Sequence, residues 1–403
     1  MQNIKNNQCV IYLLLWCIYN LKGTLYPAGS IINQLLMFAI LWISIRETFY
    51  FYKKKHSFFY PYFFKGIKIF IFIFLLYGTL LFFTDGVSVV SKYGVVTPSY
   101  YYIEGAMISV LPIYVIYLYT IQGKLTINSI RWWVIIFMII AISQYDFAQQ
   151  EALKRIAKFG SKTGDEITNN AGYIILSLIP CMLVFKKKII SYIGIAICEG
   201  FIFMSMKRGA ILISVISLLL IIRYDLKNTK YSFSKIRIFV IILIGLYVLY
   251  QYVGHLMDTS DYFNMRLQAT LDGDPSERDE IYSGYWDLFL NKSNIFQQFF
   301  GRGALATIKE TGVYAHNDWI EILICQGIFG VSLFAYFWYT FVCSIRNMST
   351  FSMSRHCLVL ILCTIGLKTF FSMSILGMPI YSTTMLGFAL ANGFEQSKEE
   401  NLC

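Results

Sequence analysis

Residues 67–83 (IKIFIFIFLLYGTLLFF) and residues 236–253 (IRIFVIILIGLYVLYQYV) decide the fold, because each is a nearly unbroken apolar run. Such runs approach the roughly 20 residues that an α-helix needs to cross the hydrocarbon core of a bilayer. The whole chain has the same character. Of its 403 residues, 57% are hydrophobic and 14% are charged, whereas soluble domains carry about 25% charged residues. The sequence therefore predicts an all-α polytopic membrane protein.

Twelve apolar runs are candidate transmembrane helices, although several are shorter than a full crossing. They cover about 9–21, 31–45, 67–83, 101–121, 132–145, 172–185, 189–205, 209–222, 236–253, 319–343, 357–374 and 379–393. The seventh and eighth runs, which flank Lys207 and Arg208, would also fit one long hairpin or a re-entrant segment. We predict three regions. Residues 1–254 hold nine helices, residues 255–318 form one large extracytoplasmic loop with short helices, and residues 319–403 hold three helices and a cytoplasmic tail.

The distribution of charge predicts the orientation of the chain. Its net charge of +11, from 34 basic and 23 acidic residues, fits an excess of lysine and arginine on the cytoplasmic side better than it fits binding to nucleic acid. A twelve-helix arrangement places basic clusters such as Lys53–Lys55 and Lys186–Lys188 inside, together with both termini. Most carboxylates then lie outside, chiefly in the large loop.

A smaller outer loop is predicted from about Asp146 to Asn170. It carries Glu151 and Lys154 at a helical spacing, which is typical of a solvated interfacial helix.

The large loop is also predicted to contain a helix. Asp274-Pro275-Ser276-Glu277 is typical of a helix start, and the helix would end near Asn291. One apolar stripe would face the membrane domain; it comprises Ile281, Tyr282, Tyr285, Trp286, Leu288 and Phe289. Arg278 falls in the first turn, where the helix dipole disfavours a cation. It therefore needs an anionic partner, which is Glu277, Asp279 or a bound anion.

No metal, disulfide or cofactor site is apparent in the sequence. The nine cysteines lie in or beside apolar runs, apart from Cys403, and none forms a Cys-x-x-Cys or Cys/His motif. We therefore expect free cysteines, no cofactor and no catalytic metal.

Two polar motifs interrupt the apolar runs on the outer side. Lys207-Arg208-Gly209 is either a hairpin tip whose charges reach the interface or an anion site that faces an internal cavity. His316-Asn317 precedes Trp319, and imidazole suits proton transfer near neutral pH. The alternative is a structural histidine followed by a helix cap. Asp318 and Glu321 are candidates to orient the imidazole.

Considered together, Arg208, Arg278 and His316 indicate a possible chemistry. Two guanidinium groups can bind the oxygens of a diphosphate in a bidentate manner. A nearby imidazole can remove a proton from a sugar hydroxyl.

The order and spacing of these motifs resemble the O-antigen ligase and polymerase superfamily. His316-Asn317, nine residues, Gly327, two residues and Gly330 are similar to its motif His-[Asn/Ser/Gln]-x9-Gly-x2-[Gly/Thr/Tyr]. Lys207-Arg208-Gly209 resembles the family's Ser-Arg-Gly motif. Arg278-Asp279-Glu280-Ile281 with Trp286 resembles its loop helix of the Arg-x-x-x-Trp type. Gly301-Arg302-Gly303 resembles its Gly-x-Gly turn.

The resemblance implies a bacterial glycosyltransferase of the cytoplasmic (inner) membrane that acts, on the outer face, on undecaprenyl-diphosphate-linked glycans. The implied catalytic residues are His316, Arg278 and Arg208. The implied substrate-binding residues are Asn317, Lys207, Arg302 and Arg266. Expected partners are the lipid-linked glycans, the bilayer and a chain-length regulator.

Three functions remain open from the sequence. The first is a polymerase that joins repeat units of O-antigen or capsular polysaccharide, which the 30 tyrosines and 34 phenylalanines favour because they suggest a glycan-specific enzyme. The second is a ligase that transfers finished O-antigen to lipid A-core. The third is a transporter or flippase for lipid-linked sugars, which would place charged residues deep within the helices.

Overall fold

The computed structural model of the chain describes most of the predicted membrane domain and the end of the large loop. Apart from a few single positions, the described segments are 2–27, 30–54, 60–91, 96–159, 169–228, 278–350, 352–373 and 378–400. Most of the ninth candidate span, 236–253, lies outside the described residues. So do Arg266 and the predicted helix start at residues 274–277.

The described segments are almost entirely helical. The exception is one antiparallel hairpin of strands β1 (Ser88–Val90) and β2 (Val96–Pro98). The α-helices are α1 (Gln2–Asn20), α2 (Ile31–Lys53), α3 (Phe63–Asp85), α4 (Tyr100–Ile121), α5 (Ile127–Phe159), α6 (Gly172–Leu176), α7 (Lys188–Met204), α8 (Arg208–Asn228), α9 (Arg278–Leu290), α10 (Ile295–Phe300), α11 (Ala306–Thr311), α12 (Asp318–Arg346), α13 (Met353–Ile361), α14 (Leu367–Phe371) and α15 (Ile380–Glu400). A 3₁₀ segment, Ile179–Val184, follows α6. A short π-helical segment, Leu362–Gly366, joins α13 to α14.

Seven helices in the described part of the chain are long and apolar enough to cross a membrane. They are α2, α3, α4, α5, α8, α12 and the continuous stretch from α13 to α14. An all-α polytopic membrane fold is therefore confirmed, whereas the count of twelve spans is not. The division into residues 1–254, 255–318 and 319–403 stays a prediction.

Helix α4 is the centre of the membrane domain, and α15, α2 and α3 pack around it. Gly387 of α15 allows one of these close approaches, because a Cβ there would lie 2.8 Å from the carbonyl oxygen of Ile113. Tyr114 and Tyr117 of α4 are fully buried among aromatic rings. The hydroxyl of Tyr114 lies 2.6 Å from that of Tyr52 on α2, so the polar tips of these rings find partners inside the apolar core.

The predicted loop from Asp146 to Asn170 is wrong at its start, because α5 continues without a break to Phe159. No glycine or proline interrupts this stretch, and its polar part consists largely of good helix formers. At 33 residues, α5 is about 50 Å long and exceeds the roughly 30 Å of a hydrocarbon core. The expected solvated helix is thus the projecting end of α5, where Lys154 pairs with Glu151 at 3.1 Å.

The sixth candidate span is a short buried element. It is divided between α6 and the 3₁₀ segment, and its 13 residues from Gly172 to Val184 fall short of a crossing. Pro180 at the start of the 3₁₀ segment removes a backbone donor. The seventh and eighth spans are two separate helices, α7 and α8, with a short corner between them.

The large loop contains short helices, as predicted, and α9 packs on α12. Tyr285, Leu288 and Phe289 are its buried residues, and they form a small core with Ala315, Ile324 and Cys325, among others. Trp286, which was expected in this stripe, is exposed. Successive residues of an α-helix are rotated by about 100° around its axis. Trp286 therefore points to a different side of α9 from Tyr285, the buried residue that precedes it.

The described cysteines are free, as expected.

Candidate active site at the start of a broken helix

Helix α12 begins at the His316-Asn317 pair. The side-chain oxygen of Asn317 accepts hydrogen bonds from the backbone N–H groups of Trp319 at 2.9 Å and Ile320 at 3.3 Å. Asn317 is therefore the N-cap of α12. His316 has a φ of 53°, a left-handed conformation that few residues other than glycine adopt. His316 therefore lies in a sharp turn immediately before the helix.

Glu321 holds the backbone immediately before His316. Its buried carboxylate accepts hydrogen bonds from the backbone N–H of Ala315 at 3.0 Å and from the hydroxyl of Thr307. Glu321 thus fixes the segment that carries the imidazole and does not contact the ring itself.

Helix α14 packs against the start of α12. The side-chain amide of Asn317 donates to the carbonyl of Phe370 at 3.3 Å, and the indole N–H of Trp319 donates to Thr369 at 3.0 Å. The Trp319 and Phe370 rings stack, with centroids 5.5 Å apart. Glu321 and α14 therefore both hold the His316 segment in place.

The Lys207-Arg208-Gly209 corner also meets α14. A Cβ at Gly209 would lie 2.3 Å from the hydroxyl oxygen of Tyr173 and 2.9 Å from Cβ of Phe371. Glycine is therefore needed for this close approach. Since α14 contacts both the corner and the His316 segment, the structure brings two of the predicted motifs to one place.

The cations of the predicted site lie close enough to His316 to change its proton affinity. Partial burial lowers the pKa of His316, and the positive charges of Arg278 and Lys207 lower it further. None of the described residues hydrogen-bonds to the imidazole. The ring is thus kept neutral in a cationic environment, with its nitrogens available to a substrate.

Arg278 is the first residue of α9 and is half-buried. Within the described residues its guanidinium forms no ion pair and no hydrogen bond, so the alternative of a salt bridge to Asp279 is not realised. The other alternative, Glu277, lies outside the described residues. A half-buried cation at a helix start, without an internal anion, is suited to an anionic ligand.

Arg302 is occupied within the loop. Its guanidinium donates to Glu310 at 3.0 Å, to the carbonyl of Lys292 at 3.1 Å and to Ser293 at 3.3 Å. Arg302 therefore links Lys292 and Ser293 to Glu310 of α11 within the loop. Arg266 lies outside the described residues, and its predicted role stays a prediction.

Lys368 was not among the predicted site residues, and Asp318, with which it interacts, was considered only as a group that could orient the imidazole. Lys368 of α14 lies over the Tyr173 ring, with Nζ 5.3 Å from the centroid, and interacts electrostatically with the buried Asp318. The available signal was a lysine inside the predicted span 357–374, because a charge within an apolar run marks a functional candidate.

The glycines of the His-Asn motif allow the loop to dock into α12. At Gly327 the helix is broken, with a φ of 69° and a ψ of −166°. The freed carbonyls of Ile324 and Cys325 accept hydrogen bonds from the backbone N–H groups of Arg302 at 2.9 Å and Gly303 at 3.1 Å. The predicted Gly-x-Gly turn therefore contacts α12 at Gly327, a glycine of the predicted His-Asn motif.

His316 lines a cavity of about 730 Å³ that lies between the membrane helices. Its volume is in the range of small-molecule binding sites, about 300–1,000 Å³. Among the described residues, no three His, Cys, Asp or Glu side chains lie close enough together to hold a metal ion.

One family model matches this chain. Its description is O-antigen ligase, and it matches residues 189–335. That segment includes each of the predicted site residues, from Lys207 to Asn317. No curated protein matches the chain.

Proposed function

We propose, from the membership of this chain in the O-antigen ligase and polymerase superfamily, that it is a membrane enzyme that polymerises lipid-diphosphate-linked oligosaccharide repeat units. In this proposal the enzyme acts on the outer face of the bacterial cytoplasmic membrane. The growing chain on undecaprenyl diphosphate is the donor, and a single lipid-linked repeat unit is the acceptor. The product is O-antigen or capsular polysaccharide.

The observation that carries the proposal is the half-buried guanidinium of Arg278 close to the uncharged imidazole of His316. Arg278 has no ion pair within the described residues, while its charge still acts on the histidine. A base that lines a cavity and an available cation close to that base are the two groups that glycosyl transfer from a diphosphate requires. With Lys207 and Arg208 nearby, the site has enough positive charge for a diphosphate with two or more negative charges.

The chemistry follows from these roles. The imidazole of His316 removes the proton from a hydroxyl of the acceptor sugar, and the oxygen attacks the anomeric carbon of the donor. The bond between that carbon and the diphosphate oxygen breaks, and undecaprenyl diphosphate leaves with the electron pair. Arg278 and Arg208 stabilise the negative charge that develops on the leaving oxygen.

The neighbouring residues support this arrangement. Asn317 caps α12 and binds α14, which positions His316 and leaves its ring unobstructed. Lys207 adds positive charge next to the imidazole. We assign Arg302 to the docking of the loop and not to substrate, because its donors are used by Glu310, Lys292 and Ser293.

Replacement of Arg278 tests the proposal. In a deletion strain complemented with the variant, Arg278→Gln should reduce polymer at least about 100-fold, the usual cost of one transition-state donor. Arg278→Lys should retain partial activity, because it keeps the charge and loses the bidentate fork. The matched control is Lys292→Gln, which removes an exposed cation that pairs with Asp287 at 2.7 Å. Normal polymer from Arg278→Gln or from His316→Ala would show that the site has been assigned wrongly.

A ligase that transfers polymer to lipid A-core is the second candidate, and the description of the matched family favours it. The phenotype of a deletion strain separates the two activities. Loss of a polymerase leaves single repeat units on the core. Loss of a ligase leaves a bare core while polymer accumulates on the lipid carrier.

A transporter of lipid-linked sugars is tested with purified protein. Formation of polymer from lipid-linked repeat units in detergent requires catalysis, since no compartments are present. Absence of product there, together with movement of labelled lipid-linked units across proteoliposome membranes, would favour transport.

A further inference from the structure

The cavity beside His316 has a second wall, formed by the first part of the chain. Besides the His316 segment, residues of α1, α2 and α4 line this cavity. Six of its lining residues are large aromatics: Trp16, Tyr19, Tyr100, Tyr101, Tyr314 and Tyr381. Their rings present apolar faces with polar tips, a combination that suits a ligand with both C–H faces and hydroxyl groups.

Two acceptor atoms on this wall have no donor. Oε2 of Glu104 and Oδ1 of Asn33 are buried, and neither has a hydrogen-bond partner within the described residues. Both residues line the cavity. A buried acceptor without a donor destabilises the empty protein by about 1–3 kcal/mol, so such atoms in a cavity indicate a ligand that brings donors.

Lys22 contributes a cation to the same wall. Its ammonium interacts electrostatically with Glu104, but the two form no ion pair within the described residues. The ammonium donates a long hydrogen bond of 3.5 Å to the hydroxyl of Tyr19. Both residues line the cavity, so a ligand there can contact the cation and the carboxylate.

We infer that this wall binds the acceptor sugar of the lipid-linked repeat unit, with Glu104 and Asn33 accepting hydrogen bonds from its hydroxyl or amide N–H groups and Lys22 donating to one of its oxygens. This inference rests on the proposed function, since it assigns the acceptor to the cavity that His316 lines. The three residues precede the matched segment 189–335, so the wall is formed by a part of the chain that the family model does not cover.

The charges of the wall favour a neutral glycan. One carboxylate and one ammonium balance each other, so neither an anionic nor a cationic ligand gains net attraction. The two free acceptors need donors, which a diphosphate at neutral pH lacks and sugar hydroxyls supply. The diphosphate is therefore assigned to Arg278 and Arg208, and the acceptor sugar to Glu104, Asn33 and Lys22.

The test measures polymer formation by purified enzyme in detergent. The probe is the lipid-linked glycan extracted from the deletion strain. Glu104→Gln should raise its half-saturating concentration about 10- to 100-fold, and Asn33→Ala about 3- to 10-fold, with smaller changes in maximal rate. The matched control is Glu151→Gln, on the projecting end of α5 away from the cavity.

Thermal unfolding of the ligand-free protein distinguishes binding from a structural role. Because Oε2 of Glu104 and Oδ1 of Asn33 have no donor in the described part of the chain, both variants should unfold at or above the temperature of the unaltered protein. Normal unfolding with an unchanged half-saturating concentration would overturn the inference, as would a lowered unfolding temperature in both variants. If the unaltered enzyme forms no polymer, the proposed function fails instead, before any variant is compared.

Discussion

At the scale of single residues, the proposed base and the proposed anion site are electrostatically linked. Arg278 and Lys207 lower the pKa of His316, because a third positive charge is unfavourable close to two cations. Arg278 is also one of the two groups that we assign to the diphosphate, and Lys207 adds positive charge to the same site. Binding of the donor would therefore neutralise them and increase the basicity of the imidazole when the acceptor must lose its proton.

Lys207→Met tests this link without removing the base. Loss of the charge should raise the pKa of His316, since the imidazolium form becomes less unfavourable. The neutral imidazole is the active form, so activity falls as pH drops through this pKa. The acid limb of the pH–rate profile should move to higher pH, with a modest change in rate at alkaline pH. Polymer formation across a pH series measures the shift.

Lys154→Met is the control for that series, since Lys154 lies on the projecting end of α5 and pairs with Glu151. Its profile should match that of the unaltered enzyme. An acid limb that stays in place in Lys207→Met would mean that His316 is not the group that titrates.

At the scale of elements, the break in α12 connects the loop to the membrane domain. Gly327 frees two carbonyls of the helix, and residues 302 and 303 pair with them. A Cβ at Gly327 would lie 2.4 Å from the carbonyl oxygen of Phe299, and one at Gly301 would lie 2.3 Å from the backbone of Cys325. Both glycines are needed because two backbones meet there without room for side chains.

Gly327→Ala should therefore detach the loop from α12. The backbone conformation of Gly327, with φ 69° and ψ −166°, is essentially restricted to glycine and costs about 1–3 kcal/mol for a residue with a Cβ, and the close contact with Phe299 adds to it. We expect a loss of about 2–4 kcal/mol in the free energy of unfolding and little or no polymer. Thermal unfolding in detergent and polymer analysis in cells measure the two effects.

Gly284→Ala is the matched control, because a Cβ at this position of α9 meets no atom within 4 Å. It should be neutral or stabilising by up to about 1 kcal/mol. Unchanged unfolding and polymer in Gly327→Ala would show that the backbone pairing is dispensable.

The limits of sequence reasoning are visible in particular elements. The helical character of residues 127–159 follows from composition, but the point where α5 leaves the bilayer does not, since no breaker marks it. The sequence predicts the order of the site motifs, and it offers the N-cap role of Asn317 as one alternative. The pairing of residues 302 and 303 with α12 and the positions of Glu104 and Lys368 depend on tertiary packing. A one-dimensional pattern does not contain that information.

At the scale of the whole molecule, charges collect at one end of the helices. Lys53, Lys227 and Arg346 lie in the last turns of α2, α8 and α12. At the opposite end, Asp85 of α3 pairs with Lys309 of α11 at 2.5 Å, which ties the loop helices to the membrane domain. By the positive-inside rule, the basic end is predicted to face the cytoplasm, and the loop with the candidate site to face outward.

Cysteine labelling tests this orientation directly. In a Cys403→Ser background, Ser283→Cys on the exposed face of α9 should react with a membrane-impermeant maleimide in intact spheroplasts. Asn228→Cys at the exposed end of α8 should react only after permeabilisation. The other eight cysteines are buried or half-buried, so the background should be low. Labelling of Asn228→Cys from outside would reverse the orientation. It would place Arg278 and His316 on the cytoplasmic side. The expected donors there are nucleotide sugars, and not undecaprenyl-diphosphate-linked repeat units.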